Sequence, residues 1–293
     1  MEKKIHKYFQ HPALILIWIV NKIAFLFPDK FFVQLKYGLI FKKKLDLTNP
    51  KTYNEKLQWL KLYDRNPDYT KMVDKIDAKN YVSNIIGEEF IIPTIDVYNS
   101  VDEIDFDRLP NSFVLKCTHD SGGIIICKDK SKLNIEETKN RLRKYLKQSF
   151  YVKSREWPYK NVPRRIVCEK YIVDESGYEL KDYKFFCFNG AVKALFIATD
   201  RNKENEETKF DFFDSDFNHL PFVNGHPNSQ NQIKKPDSFE EMKAIAEKLS
   251  KNIPHVRVDL YDVGELTFFH FGGLVPFVPE SWDYKFGSWI TII

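Results

Sequence analysis

The chain has 293 residues, with 45 Lys and Arg against 41 Asp and Glu, a formal net charge of +4. Hydrophobic residues make up 43%, with 25 Phe and 15 Tyr but only 11 Gly and 14 Pro, which excludes disordered, collagen-like and low-complexity chains. The near-balanced charge gives no nucleic-acid footprint, and the length suits one large domain or two ordinary ones.

The most apolar stretch is 13–20 (ALILIWIV), interrupted by Asn21 and Lys22 before 23–27 (IAFLF). It falls short of the roughly 20 residues of a spanning helix and lacks the small-residue cleavage site of a signal peptide. Lys3, Lys4 and Lys7 precede it and Lys42, Lys43 and Lys44 follow, so residues 13–27 form either an interfacial helix on anionic headgroups or a helix packed on the main body. Leu57, Leu60 and Tyr63 at helical spacing predict an amphipathic helix over 51–63, and a second helix is expected over 73–86, stopped by Gly87. Residues 91–98 read as a strand with a Pro bend. Strands at 112–117 and 124–128 flank a polar glycine loop, and a second hairpin over 182–197 turns at Asn189-Gly190, the strongest local hairpin signal. Helices are expected over 135–150 and 238–252, the latter with Ser238 and Glu241 as a capping box. Helices followed by alternating hairpins and helices give an α+β architecture.

Cys117, Cys127, Cys168 and Cys187 show no metal-ligand spacing and read as reduced, buried small hydrophobes in a cytoplasmic protein. The aromatics Phe212, Phe213, Phe217 and Phe222 read as core. His219, His226 and His255 read as surface or structural, and Arg164-Arg165 as a solvated turn or an anion contact.

The chemistry concentrates near the C-terminus. In 256–261 (VRVDLY), strand alternation sets Arg257, Asp259 and Tyr261 on one face, and Glu265 and Thr267 share a face one strand later. A turn at 262–264 would bring Asp259 and Glu265 together beside Arg257. This forms either a surface salt-bridge cluster or a site for a divalent metal and phosphate. Upstream, Lys116 precedes the loop Thr118-His-Asp-Ser-Gly-Gly123, where a strand lysine and glycine backbone can cradle phosphates; His119 is either a contact there or a solvated loop residue. Glu169 to Ile172 end a strand at a hinge, and Asp182 and Lys184 share one strand face.

That order resembles the ATP-grasp superfamily, and more closely its TupA-like (teichuronopeptide-biosynthesis) branch. The resemblance is carried by 49–61 (NPKTYNEKLQWLK), Asp74-Lys75, 86–93 (IGEEFIIP), 109–116 (LPNSFVLK), 169–172 (EKYI), 182–184 (DYK), 256–261 (VRVDLY) and 282–287 (WDYKFG). It implies an ATP-grasp fold, two α+β subdomains clamping ATP, over 111–293, divided at about residue 170. Before it come a helical region over 1–70 and a connecting segment over 71–110. The implied activity is an ATP- and Mg²⁺-dependent carboxylate–amine ligase. It would form an amide on a carboxylated sugar or sugar-nucleotide precursor, through an acyl phosphate, in capsule or cell-envelope polysaccharide biosynthesis. The implied partners are ATP, that precursor and an amine or amino acid.

On this resemblance Lys116 and Lys184 hold the ATP phosphates, with His119, Ser121, Gly122, Gly123 and Asp182 around them. Glu169 and the backbone of Lys170, Tyr171 and Ile172 meet adenine or ribose, while Asp259, Glu265 and Thr267 ligate Mg²⁺. Arg257, with Lys116, acts on the transferred phosphoryl group, and His270, Gly272 and Gly273 border the acceptor. Thr267 stands where relatives commonly carry Asn, and the Asp259–Glu265 hairpin is shorter than theirs. The alternatives are a glycosyltransferase or other glycan-modifying transferase of the same pathway, or a nucleotide-binding scaffold without turnover.

Overall fold

The computed structural model describes residues 12–120, 122–173, 181–200, 207–261, 265–270 and 274–292, with backbone alone for 12–14 and 265–270. The first described elements are helices α1 (Pro12–Lys22) and α2 (Asp29–Phe41), followed by α3 (Tyr53–Tyr63), α4 (Asp68–Val73) and α5 (Asp77–Ile86). Strands β1 (Thr94–Tyr98), β2 (Phe113–Cys117), β3 (Ile124–Cys127) and β4 (Ile166–Lys170) form an antiparallel sheet in the order β1-β4-β2-β3, with α6 (Ile135–Leu146) and α7 (Phe150–Ser154) between β3 and β4. Next come β5 (Asp182–Phe188), β6 (Ala191–Thr199), β7 (Lys209–Asp214), β8 (Val223–Asn224) and α8 (Phe239–Leu249). The chain closes with β9 (Val256–Tyr261), β10 (Glu265–His270), β11 (Phe277–Val278) and α9 (Ser281–Ser288). Five of these strands make a second antiparallel sheet, β10-β9-β5-β6-β7, while β8 and β11 pair separately.

Local sequence explains most of this. Asn189 and Gly190 both take positive φ, 49° and 83°, as a two-residue hairpin turn needs. Thr52 caps α3, accepting from the Glu55 amide while the Glu55 side chain accepts from the Thr52 amide. Gly87 ends α5 at a φ of 116°. Three expectations fail. The helix foreseen over 135–150 stops at Leu146, and a separate short helix, α7, starts at Phe150 with Ser149 as its cap. The helix foreseen over 73–86 is broken: α4 ends at Val73, and α5 begins at Asp77. Between them the Asp74 carboxylate accepts from the Ile76 amide at 2.9 Å and from Arg165 at 2.8 Å, holding a turn that a continuous helix would remove. The capping box at Ser238 does not form either. Ser238 stands at the N-cap with ψ near 0° rather than the extended backbone of a capping serine, and its side chain makes no cap hydrogen bond.

Among the described residues three apolar clusters hold the elements. The largest lies around the five-stranded sheet, packing Phe185, Leu195 and Phe212 against α3, α8 and α9. It includes Phe213 and Phe222, with Phe217 packed on its edge. A second joins Phe113, Leu115, Cys117 and Cys168 to Leu142 of α6. All four cysteines are buried thiols. The third gathers Val20, Ala24, Phe32, Val33 and Tyr37. There α1 buries one edge only, leaving Leu16, Trp18 and Ile19 exposed. Among the described residues, no helix is long and apolar enough to cross a membrane.

Candidate active site

Pairing of β5 with β9 sets Lys184 opposite Asp259, and Asp182 opposite Tyr261. Directly opposed residues of an antiparallel pair share a face, so the alternation in VRVDLY brings Arg257 and Asp259 to the side that carries Lys184. The Lys184 ammonium bonds both Asp182 and Asp259, at 2.7 Å to the latter. Arg257 grips the same carboxylate with Nε at 2.6 Å and Nη2 at 2.7 Å. Asp182, Lys184 and Asp259 are all buried. Burial by itself would favour a neutral Asp259, but Arg257 and Lys184 outweigh it and hold the carboxyl well below the usual range. Asp259 holds Arg257 charged in turn, against its own burial. The cluster foreseen around Arg257 and Asp259 is therefore an interior ion network and not a solvated surface patch.

A second network stands on the four-stranded sheet. Lys116 of β2 and Val114 lie opposite Val167 and Glu169 of β4, on the side away from the second cluster. Glu169 is bonded by Lys116 at 2.5 Å and by Lys79 of α5 at 2.7 Å. Burial again works against the charge, and the two lysines overcome it, keeping the carboxyl low. The same face carries Ile124 and Ile126, 38% and 55% exposed, so a lysine–carboxylate pair adjoins an uncovered apolar surface.

The glycine loop joins β2 to β3. Cys117 donates to the Gly123 carbonyl at 2.8 Å, and the Gly122 amide to Asp120 at 3.1 Å. A Cβ on Gly123 would lie 2.8 Å from that of Cys117, so the absent side chain lets the hairpin close; at Gly122 the nearest atom would be 3.9 Å away, leaving the backbone open. Lys75 donates to the carbonyls of Cys117, at 2.7 Å, and Asp120, pinning the loop from α5's side. Burial, reinforced by Lys116, pushes this ammonium down to about 8. His119 is buried rather than solvated, and one ring nitrogen meets the Gln148 carbonyl at 3.2 Å.

Of the other residues singled out, Lys170 is the exposed end of β4 and Tyr171 and Ile172 follow it, half-buried. Arg165 pairs with Asp74 and with Asp77, while Arg164 reaches the Leu146 carbonyl. His255 is structural and fully buried. In β10, Thr267 stands in register with Asp259, Glu265 with Tyr261 and His270 with Arg257. The side chains of those three residues, together with Ser121, the 262–264 turn, Gly272 and Gly273, lie outside the described residues. Among the described residues no group of three His, Cys, Asp or Glu side chains gathers as a metal cage. Sequence reasoning missed Lys79 and the anchoring role of Lys75. Lys75 lies in the turn between α4 and α5 and Lys79 on the first turn of α5, and their partners come from β2, the residues after it and β4, so no local spacing signalled either role.

Two antiparallel sheets, each setting a strand lysine against a buried carboxylate with a glycine hairpin beside the first, define an α+β protein of the ATP-grasp fold. A model of the family described as TupA-like ATP-grasp matches residues 55–291, and the chain belongs to that family. No curated protein matches the sequence. Among solved structures, the ATP-grasp ligase PsnB complexed with minimal precursor, Mg and ADP is similar at a TM-score of 0.39 and 9% identity, over 75% of this chain and 58% of that one. D-alanine–D-alanine ligase from Bacillus anthracis complexed with ATP gives 0.35 and 16%, over 68% and 51% of the two chains. The Helicobacter pylori D-alanine–D-alanine ligase gives 0.40 and 12%, over 82% and 67%. The chain thus spans little more than half the length of the first two.

Proposed function

We propose that this protein is an ATP- and Mg²⁺-dependent carboxylate–amine ligase that forms an amide on a carboxylated sugar or sugar-nucleotide precursor of a surface polysaccharide. The observation that carries the reading is the buried Lys184–Asp259–Arg257 network on adjacent strands. Its ions are costly to bury and add little to stability, so a role at a polyphosphate accounts for them better than folding does. The division into a helical region to residue 70, a connecting segment to 110 and an ATP-binding clamp from 111 belongs to the same reading.

In this reading Lys116 and Lys184 hold the nucleotide phosphates, and the open backbone at Gly122 approaches them with His119 and Ser121 nearby. The apolar face beside Glu169, continued by the backbone of Lys170, Tyr171 and Ile172, receives the base and ribose. Asp259 fits a magnesium ligand: it is anionic, buried and hard, and Mg²⁺ takes one or two such carboxylates beside phosphate oxygens. Glu265 and Thr267, in register one strand away, complete the set. When bound, the ion offsets charge on the phosphate oxygens.

Arg257 neutralises the transferring phosphoryl group while the acceptor carboxylate forms its O–P bond and the bond from the γ-phosphorus to ADP breaks. The amine nitrogen then bonds the acyl carbon, the C–O bond to phosphate breaks, and nitrogen gives up a proton to water. Gly272, Gly273 and His270 would border that acceptor. The reading also includes peripheral attachment to the inner face of the cytoplasmic membrane through residues 13–27.

The test is ADP release with Mg·ATP across paired uronic-acid and amine substrates. Release should require the metal and both substrates, and Asp259→Asn should lower it about 100-fold or more. Consumption of a sugar nucleotide without ADP formation would instead mark a transferase, and ATP binding without turnover a scaffold. Full turnover in Asp259→Asn would end the metal assignment.

A further inference from the structure

A cavity of about 310 Å³ opens beside Arg257. Its wall is shared by α2, α3 and the 150–156 segment, with Leu274, the first described residue after β10, at one side. Four cations line it, Lys36, Lys61, Lys153 and Arg257, against one carboxylate, Glu156. Arg257 is already engaged by Asp259, so the lysines are the excess.

Lys61 is the telling one. It is only 4% exposed, and among the described residues its ammonium makes no ion pair or hydrogen bond; burial works against its charge, and Glu156 nearby offsets this only in part. Sequestering a cation in this way costs stability unless something pairs with it. Lys36 faces the same space, donating to the Lys153 carbonyl at 3.0 Å with its ammonium over the Phe32 ring. Burial and the repulsion of Lys61 push it down to about 8. Two ammonium groups close enough to repel each other, walled by apolar side chains and opening onto a shared cavity, make a receptor for an anion. The volume suits one sugar-sized molecule and lies at the small end of ligand sites.

We infer that this cavity is the acceptor site, and that Lys36 and Lys61 bind a second anionic group on the acceptor, carried in addition to the carboxylate that meets Arg257. The first carboxylate rests on the ligase reading; the second anion rests on the cavity alone. Lys36 lies in α2, before residue 55 where the family match begins, and Lys61 lies within the match.

Calorimetric titration with Mg·ADP saturating tests this, comparing D-glucuronate with D-glucuronate 1-phosphate. The phosphorylated probe should bind the native protein about 10-fold tighter or more, the worth of one charge-assisted hydrogen bond. Lys61→Met, which keeps length and removes a buried charge, should bring that ratio close to 1 while leaving Mg·ADP affinity unchanged. Lys36→Met is the second variant, should Lys61→Met fold poorly. No binding of the phosphorylated probe, or the same ratio in native protein and both variants, overturns the inference. ADP release is scored separately. A preference abolished by the variants without turnover would sink the ligase reading and leave the anion site standing, whereas turnover without the preference would sink the anion site alone.

Discussion

Asp259 shows what one carboxylate gains from strand geometry. Its neighbour two residues back on the same strand and its partner across β5 are both cations, so three charges converge with no loop involved. Only the shared face of Arg257 and Asp259 was legible from the alternation in VRVDLY, since period two is the most local rule a strand obeys; the approach of Lys184 was not, because it depends on β5 pairing with β9. The partner of Lys116 was not, because Glu169 lies in β4 and the pairing depends on sheet order. His255 was read only as surface or structural, and the structure decides it. Its Nδ1–H donates to the Cys187 carbonyl at 2.9 Å, leaving Nε2 to accept from the Tyr53 hydroxyl at 2.9 Å. Both bonds belong to the neutral ring, and burial pushes the imidazolium down to about 3. Between that value and the ordinary one near 6.5 the unfolded chain binds the proton and the folded protein does not, so stability falls as pH drops through the window. His255→Gln should be less stable at pH 7 but lack this loss. The stability gap between native protein and variant, read from urea melts, should narrow by about 2 kcal/mol from pH 7 to pH 5. An unchanged gap would mean that the ring is not held neutral.

Elements whose signals lie within a few residues were read well: the Asn189-Gly190 hairpin, the Gly87 stop, the 256–261 strand. The break between α4 and α5 was not, because the turn at Asp74 leans on Arg165, 91 positions away. The junction of α3 with α9 has the same character. Thr52 and Glu55 cap α3 locally, yet the cap is pressed by Gly287, where an added Cβ would lie 2.3 Å from the Lys51 carbonyl and 2.7 Å from the Tyr53 amide. Both neighbours are backbone and cannot swing aside. Asp283 of α9 accepts from the Asn54 amide at 2.9 Å, fixing the approach. Gly287→Ala should therefore cost about 3 kcal/mol, as overpacking against rigid backbone does, whereas Thr52→Ala should cost about 1 kcal/mol, the worth of a cap. Thermal melts of the two variants check the order. If Gly287→Ala proved the milder change, the close packing of α9 on α3 would be wrong.

For the whole molecule, the N-terminal helices pose the question that composition left open. An apolar stretch of this kind can pack or lie at an interface, and hydropathy alone does not separate the two. The structure divides the work. Arg155, at a φ of 57°, donates to the carbonyls of Ala24 at 2.5 Å and Phe27 at 2.9 Å and stands over the Phe32 ring, tying α2 and the connection between α1 and α2 to the body. The outer side stays bare: Trp18, Phe25, Leu26 and Phe31 are each at least half exposed, with Lys22 over the Trp18 ring and Lys30 and Lys42 to Lys44 exposed further along the same segment. Exposed apolar side chains on a segment that also exposes lysines suit the headgroup boundary of an anionic bilayer, where buried area and surface charge act together. The protein should accordingly float with phosphatidylserine-containing liposomes and far less with neutral ones. Replacing Trp18, Phe25 and Leu26 together by Glu should abolish flotation while leaving the melting temperature within a few degrees, because none of the three contributes a buried side chain to the cluster beneath. Flotation that survived this change, or that ignored lipid charge, would remove the membrane from the account and leave the helices as part of the acceptor cavity alone.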